Sequence, residues 1–122
     1  MADHRRQLGK WGESVAAVHL EAKGLLLVER NWRSVYGEID IVAEDGDELI
    51  FVEVKTRRGN QMGTPEEALT KEKAEKLRQL AQLYLAEKDS ERDWRIDLVA
   101  IEIDSRGKLV RCDHIRDAVL GW

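Results

Sequence analysis

Apolar residues recur every three or four positions over residues 5–23, a spacing that predicts an amphipathic helix. Alanines within this stretch favour a helix, and Gly24 is a suitable C-terminal stop. The apolar run 25–28 predicts a short strand or an extended segment leading into a sheet, and residues 31–36 predict a turn or the start of a strand. The apolar positions of the helix are Leu8, Trp11, Val15 and Val18.

Two strands joined by a tight turn are predicted in the next part of the chain. Residues 38–43 alternate between polar and apolar side chains, as a strand with one buried face does. Residues 49–55 are β-branched and apolar through most of their length, and residues 45–47 between the two stretches form a turn signal. The two strands therefore form an antiparallel hairpin, which the polar segment 56–63 follows.

A second helix is predicted after this polar segment. Thr64 is a suitable N-cap, Pro65 fits the first helical position, and Glu67 completes a capping box. We expect the helix to run to about Lys88, with its apolar side chains facing the core. Those side chains are Leu69, Leu77, Leu80, Ala81 and Tyr84.

Two further strands, residues 94–103 and 109–115, are predicted on either side of a turn at residues 105–107. The order of elements is then about αβββαββ, which predicts an α/β fold with a central mixed β-sheet flanked by helices. The length of 122 residues fits a single domain spanning 1–122, and a hydrophobic content of 43% is enough for a core.

Composition excludes several classes of protein. The one cysteine, Cys112, rules out an intramolecular disulfide and a cysteine-rich zinc site. No apolar run approaches the ~20 residues of a membrane span, and no signal peptide is recognisable, so we expect no membrane partner and a cytoplasmic location. The net charge of −4 argues against a wholly basic nucleic-acid surface but leaves room for a local basic patch.

Candidate chemistry lies on the hairpin, because side chains alternate between the two faces of a strand. Glu53 and Lys55 share one face of the second strand, and Glu38 and Asp40 share one face of the first. A two-residue loop at positions 46–47 would place Asp40 opposite Glu53 and Glu38 opposite Lys55. The same loop one position earlier would make Asp40 and Glu53 diagonal neighbours, and a three-residue loop would separate them unless a bulge restored the face.

Two facing carboxylates repel each other and would destabilise a sheet unless a cation lay between them. Aspartate and glutamate oxygens are the ligands that Mg²⁺ prefers, and a nearby lysine suits a phosphate or a metal-bound water. An ordinary solvated face of a hairpin would carry the same residue types. Leu49 and Phe51, which are apolar and lie earlier on the same face, weaken that second interpretation.

The segments 37–42 and 51–57 resemble the core of the PD-(D/E)xK nucleases, with Asp40 as the acidic residue and Glu53-Val54-Lys55 as the ExK motif. Ile39 replaces the superfamily's proline, a change that its resolvase-like branch tolerates. Most of the chain resembles the YraN-like family of small bacterial proteins, which is related to the archaeal Holliday junction resolvases, and this implies a restriction-endonuclease-like core. The other matching segments are residues 12–13 with 16–17, 23–24, 31–33, 68–73 with Leu77 and Ala81, and 95–97.

This resemblance implies roles for four residues. Asp40 and Glu53 would bind Mg²⁺ or Mn²⁺, and Lys55 would orient or deprotonate the attacking water. Glu13 would complete the metal site from the first helix. Small residues on its helical stripe, Gly9 and Ala17, would let Glu13 approach the sheet, although an exposed helix glutamate is the alternative.

Basic residues indicate where a nucleic acid would lie. Arg57 and Arg58 would hold the DNA backbone, and Lys73 would reach a phosphate, although Lys73 also fits a solvated helix face. Glu38 would support Asp40 or pair with Lys55. The residues with an expected structural role are Asp97, ion-paired with Arg95, and the core residues Trp11 and Trp32.

These features predict a Mg²⁺-dependent endonuclease that hydrolyses phosphodiester bonds in DNA, with structured or branched DNA as the expected substrate. Because a junction is cut symmetrically by two sites, a homodimer is also expected. The alternative is a nucleic-acid-binding or interaction protein that keeps the nuclease fold without turnover, and the net negative charge favours it. The combined presence of Asp40, Glu53 and Lys55 favours the enzyme.

Overall fold

The structure, a computed structural model, describes residues 3–59 and 63–119. The predicted order of helices and strands is confirmed, with one short 3₁₀ turn before the second long helix. The elements are α1 (Asp3–Ala22), β1 (Leu26–Ser34), β2 (Gly37–Asp45), β3 (Glu48–Arg58), the 3₁₀ turn (Glu66–Ala68), α2 (Lys71–Glu87), β4 (Trp94–Ile103) and β5 (Leu109–Ile115).

The five strands form one mixed sheet in the order β1-β2-β3-β4-β5. All neighbours are antiparallel except β3 and β4, which run parallel from the pair Leu49 and Trp94 to the pair Arg58 and Ile103. Parallel neighbours require a crossover connection, and α2 supplies it. The fold is therefore α/β, consistent with the restriction-endonuclease-like core that the sequence predicts.

Two apolar clusters fill the two faces of the sheet. The cluster beneath α2 contains every inward-facing residue predicted for that helix, including Leu69 and Tyr84. The cluster beneath α1 contains Ala16 and Leu20 together with alternate residues of the strands. Gly12 allows α1 to lie close to the sheet, because a Cβ atom there would come within 2.0 Å of Thr56 Oγ1. This close approach brings the next residue of the helix, Glu13, to the sheet.

The buried side of α1 differs from the predicted stripe. Trp32 is buried as expected, but the expectation that Trp11 lies in the core is wrong, since 39% of its surface is exposed. Val18 is also exposed. The helix packs through small residues, and larger apolar side chains would hold it too far from β3. Periodicity finds the helix, but here it does not identify the side that packs.

The first strand is longer than predicted. Residues 25–28 and 31–36 were expected to form separate pieces, yet β1 is continuous from Leu26 to Ser34. A register shift between Leu27 and Glu29, and a positive φ of 55° at Asn31, interrupt its regular pattern. Asparagine tolerates this left-handed conformation better than most residues, so the strand changes direction without ending.

The second helix begins later than predicted. The capping box forms, because Thr64 and Glu67 exchange two hydrogen bonds of 3.0 and 3.2 Å, but only a 3₁₀ turn follows. The backbone leaves the helical conformation at Leu69, and Thr70 then caps α2 by accepting a hydrogen bond from the Lys73 N–H. The break places Lys73 in the first turn of α2. Neither helix in the described part of the chain is long and apolar enough to cross a membrane.

Candidate active site

The hairpin of β2 and β3 follows the first of the loops considered above. Asp45 pairs with Glu48 around a two-residue turn, and the paired residues continue to Ile41 and Val52. The register is thus confirmed over this stretch. The regular pairing ends at Ile41 and Val52, so the expected pairs of Asp40 with Glu53 and of Glu38 with Lys55 are not part of it. Glu38 accepts a hydrogen bond of 3.1 Å from Arg33 on β1.

Asp40 lies where the regular pairing of β2 and β3 ends. Its Oδ2 accepts a hydrogen bond of 2.8 Å from the Val54 N–H, so a side-chain oxygen takes the place of a strand carbonyl. Ile39 packs beneath α2 whereas Ile41 packs beneath α1, although alternate residues of a regular strand share a face. Asp40 therefore occupies a local change of face and not the regular paired position that the sequence suggested.

The irregularity at Asp40 has a counterpart on β1. The pairs of β1 and β2 on either side are Arg30 with Ile41 and Trp32 with Ile39, which leaves Asn31 next to Asp40 with no regular pairing between them. The positive φ of Asn31 accommodates the change of face in β1. Sequence reasoning missed this role of Asn31.

Glu53 is buried, with 3% of its surface exposed. Two lysines compensate its charge: Lys73 Nζ lies 3.3 Å and Lys55 Nζ lies 3.7 Å from Glu53 Oε2. A buried carboxylate is stable only when it is paired or hydrogen-bonded. Lys73, predicted only as a weak phosphate contact, is the nearer of the two, because the helix break at Leu69 sets its position.

Glu13, Glu38 and Asp40 each offer an oxygen within 4.8 Å of the others. Glu13 Oε1 is buried and accepts no hydrogen bond from the described residues, and Arg30 Nη2 lies 4.0 Å away. Burial raises the pKa of Glu13, and repulsion from Glu38 adds to this rise, while a hydrogen bond from Asn31 opposes it. An acceptor oxygen without a donor is thus held beside two further carboxylates.

Burial, followed by repulsion from Glu53, raises the pKa of Asp40 to about 8, while the Val54 N–H opposes the rise. The shift reports a site with more negative charge than its own hydrogen bonds stabilise. A divalent cation would relieve this repulsion and would satisfy Glu13 Oε1. The donors are all carboxylate oxygens, which suit Mg²⁺ or Mn²⁺ better than a soft metal. The residues present therefore fit such an ion.

The carboxylates open into a cavity of about 570 Å³. Its wall carries the predicted Lys55, Arg57, Arg58 and Lys73, so the structure brings the proposed metal ligands and the proposed phosphate contacts together. Arg57 Nε is buried and donates no hydrogen bond to the described residues. The cavity thus combines acidic groups with a basic rim. Its charged residues are Arg5, Glu13, Glu38, Asp40, Glu53, Lys55, Arg57, Arg58, Lys73 and Lys76.

Comparison with known proteins identifies the family. The model of "Uncharacterised protein family UPF0102" matches residues 12–101. The chain belongs to this family, the YraN family. A UPF0102 protein of Rhodococcus opacus is 48% identical over 94% of this chain and 98% of its own length, and one of Beutenbergia cavernae is 50% identical over 89% and 92%. A UPF0102 protein of Roseiflexus castenholzii is 45% identical over 98% of both chains.

The segment that matches the UPF0102 model includes the four carboxylates of the cavity and both lysines at Glu53. Arg5 lies before the matched segment, and sequence reasoning missed it. Its signal was spacing: Arg5, Gly9 and Glu13 are each four residues apart, so they share one side of α1. Lys76 on α2 also lines the cavity.

Proposed function

We propose that this UPF0102 protein is a metal-dependent endonuclease that hydrolyses phosphodiester bonds in DNA, including branched DNA. One observation carries the proposal. A buried, unsatisfied oxygen of Glu13 lies beside Asp40, whose pKa is raised, in a cavity that also holds a lysine pair. A structural role alone leaves these crowded carboxylates unexplained, whereas a divalent cation and a phosphate would neutralise both kinds of charge.

The roles of the individual side chains follow from their positions. Glu13, Glu38 and Asp40, whose oxygens lie within 4.8 Å of one another, would hold the metal ion together with Glu53, which lies next to Asp40. A bound Mg²⁺ would stabilise negative charge at phosphorus and lower the pKa of a water ligand. Lys55, whose side chain is 32% exposed, can orient the attacking water from the open side of Glu53.

Lys73 would contact the scissile phosphate. Its ammonium group lies 3.3 Å from Glu53 Oε2 and its side chain is 37% exposed, so Lys73 reaches both the buried carboxylate and the cavity. Arg57, Arg58 and Lys76 on the wall would contact flanking phosphates. Paired cuts at a branch point need two active sites, so the proposal includes a homodimer, which light scattering with and without DNA can check.

A DNA-binding protein without turnover is the second candidate. The observation that favours it is the pairing of both Lys55 and Lys73 with Glu53, because two ammonium groups already neutralise this ligand without a metal ion. On this account the cavity would bind phosphate through its basic residues, and the metal would not be required.

A cleavage panel distinguishes the two candidates. Single-stranded, duplex, flapped and four-way DNA, and RNA, are incubated with wild type in Mg²⁺, in Mn²⁺ and in chelator. The nuclease hypothesis predicts metal-dependent cleavage that Asp40→Asn and Glu53→Gln abolish. Glu91→Gln, in an exposed loop before β4, should retain the cleavage. Binding without cleavage of any substrate would instead support the second candidate, and cleavage at an unchanged rate by folded Asp40→Asn would refute the assigned site.

A further inference from the structure

The turn between β1 and β2 carries two exposed apolar side chains. Ser34 and Gly37 are paired, and the two residues between them are Val35, 93% exposed, and Tyr36, 62% exposed. Two-residue hairpin turns favour glycine, asparagine and aspartate, not a β-branched or aromatic residue. Val35 and Tyr36 thus depart from the residue preference of this turn, although neither side chain contributes to the core. Such departures are typical of functional sites.

The turn is held firmly in place. Ser34 Oγ accepts a hydrogen bond of 3.0 Å from the Tyr36 N–H and donates one of 3.2 Å to the Gly37 carbonyl. Gly37 has a φ of 144°, which favours glycine, and a Cβ atom there would lie 3.5 Å from Leu80 Cδ1 and 3.6 Å from Lys76 Cε. The backbone therefore rests on α2, and the two exposed side chains project from a fixed support.

The same turn borders the candidate active site. Gly37 and Glu38, which follow the tip directly, line the cavity together with Lys76. On the other side of the tip lies Arg33, whose side chain is 78% exposed and is paired with Glu38 at 3.1 Å. An apolar tip thus lies between cationic side chains at the edge of the cavity.

We propose that the tip formed by Val35 and Tyr36 stacks on an unpaired base of the bound DNA and thereby directs the adjoining backbone into the cavity. The inference rests on the proposed function, since it assumes DNA at this site. A base suits the tip because aromatic side chains stack on any unpaired base, while neighbouring cations attract the phosphates. The contact area that two side chains offer is far smaller than the ~800 Å² that each partner buries in a stable protein interface. A base is therefore favoured over a protein as the partner of the tip.

The test uses four-way and gapped DNA with 2-aminopurine at an unpaired position, and a perfect duplex for comparison. Stacking on Tyr36 would quench the fluorescence of the probe on binding. Tyr36→Ala should lose the quenching and weaken binding of gapped DNA by about tenfold, while duplex binding stays nearly unchanged. Tyr36→Phe should keep both properties, because the ring suffices for stacking.

Val110→Ser is the matched control, because Val110 is 65% exposed on β5 and outside the cavity. Both variants replace exposed residues and should melt within a few degrees of wild type. Equal binding and quenching by Tyr36→Ala and Val110→Ser would reject the stacking role. If metal-dependent cleavage nevertheless required Asp40, the proposed function would survive that result. Failure of folded wild type to bind any of the DNA probes would reject both proposals.

Discussion

Two aspartates, one on β2 and one on β4, show opposite ways of burying a carboxylate. Asp97 is fully buried, and its oxygens contact Arg95 Nε at 3.0 Å, His114 Nε2 at 2.7 Å and the Asp117 N–H at 3.0 Å. Burial alone would raise the pKa of Asp97, but these contacts outweigh it and lower the pKa. The predicted ion pair between Asp97 and Arg95 is present, within a larger network than the sequence suggested.

Asp40 has one hydrogen bond of 2.8 Å from the Val54 N–H and otherwise faces other carboxylates, so its pKa rises to about 8. Asp97 is fully buried and Asp40 is partly buried, yet only Asp97 receives enough donors to stabilise its ionised form. The difference teaches that burial of a charge does not by itself mark a functional site. A functional site is indicated by a buried charge that lacks enough hydrogen-bond donors or opposite charges around it.

The largest expected effect is a loss of stability when the hydrogen-bonded network around Asp97 is broken. Asp97→Asn leaves Arg95, which is 6% exposed, without its most buried anionic partner, although Glu48 remains 2.7 Å from Arg95 Nη1. Breaking one partner of a buried ion pair costs roughly 3–5 kcal/mol, so we expect a large drop in the free energy of unfolding. Urea denaturation at pH 7 measures it. A loss below about 1 kcal/mol would mean that the network does not stabilise the fold.

Lys55→Ala tests the candidate active site around Asp40, where a substitution should reduce activity and leave stability nearly unchanged. Lys55 lies near the end of β3 with a side chain that is only partly buried, so its removal leaves no large cavity. Loss of a positioned general base commonly costs 10²–10⁴-fold in rate, about 3–5 kcal/mol of barrier. We expect folding and metal binding to persist while cleavage falls. Unaltered cleavage rates under single-turnover conditions would remove Lys55 from the mechanism.

The two aspartates should also respond to pH with opposite signs. Because the folded pKa of Asp40 is raised to about 8, its stabilising contribution is present below the ordinary pKa of aspartate and is lost as the pH rises towards 8. Asp97, with a lowered pKa, instead stabilises the fold above the ordinary pKa and loses this contribution as acid protonates it.

Asp40→Asn should therefore become more stable relative to wild type between pH 5 and pH 9 in chelator, by at least about 1 kcal/mol, the free energy of one pKa unit. Asparagine can still accept the Val54 N–H, so the backbone contact is retained. Chemical denaturation of both proteins across this range is the measurement. A stability difference that does not change with pH would show that Asp40 titrates normally.

The smallest expected effects lie on the cavity wall. Arg57→Ala and Arg58→Ala should each weaken DNA binding and reduce the slope of log affinity against log salt by about one unit. The structure adds a distinction, since Arg57 Nε is buried without a partner among the described residues, whereas Arg58 Nη1 lies 3.5 Å from the Ser105 carbonyl. Arg57 should show the clearer change. An unchanged slope in both variants would place the DNA elsewhere.

Much of the fold could be predicted from local patterns. The order of helices and strands along the chain, the turn that pairs Asp45 with Glu48, and the buried side of α2 all depend on alternation, turn residues and capping, which act over a few residues. The predicted site residues Glu13, Asp40, Glu53 and Lys55 do line one cavity. Their roles as ligands and catalysts stay predictions.

The features that sequence reasoning missed depend on tertiary packing. The chain leaves the helical conformation at Leu69, whose side chain is buried in the core, and no capping pattern signals that Thr64 starts only a 3₁₀ turn. The change of face at Asp40 needs the positive φ of Asn31 on a neighbouring strand. Trp11 was wrongly predicted to lie in the core, because α1 packs closely against the sheet through its small residues.

Titration of Mn²⁺ into the metal-free protein, followed by calorimetry, tests most directly whether the crowded carboxylates around Asp40 form a cation site. Wild type and Glu91→Gln should bind the ion with equal affinity, and binding should release protons near pH 7 because Asp40 ionises. Asp40→Asn, folded and measured in the same buffer, should bind at least tenfold more weakly. Equal affinity in Asp40→Asn and wild type, or no binding by wild type at millimolar Mn²⁺, would contradict the account.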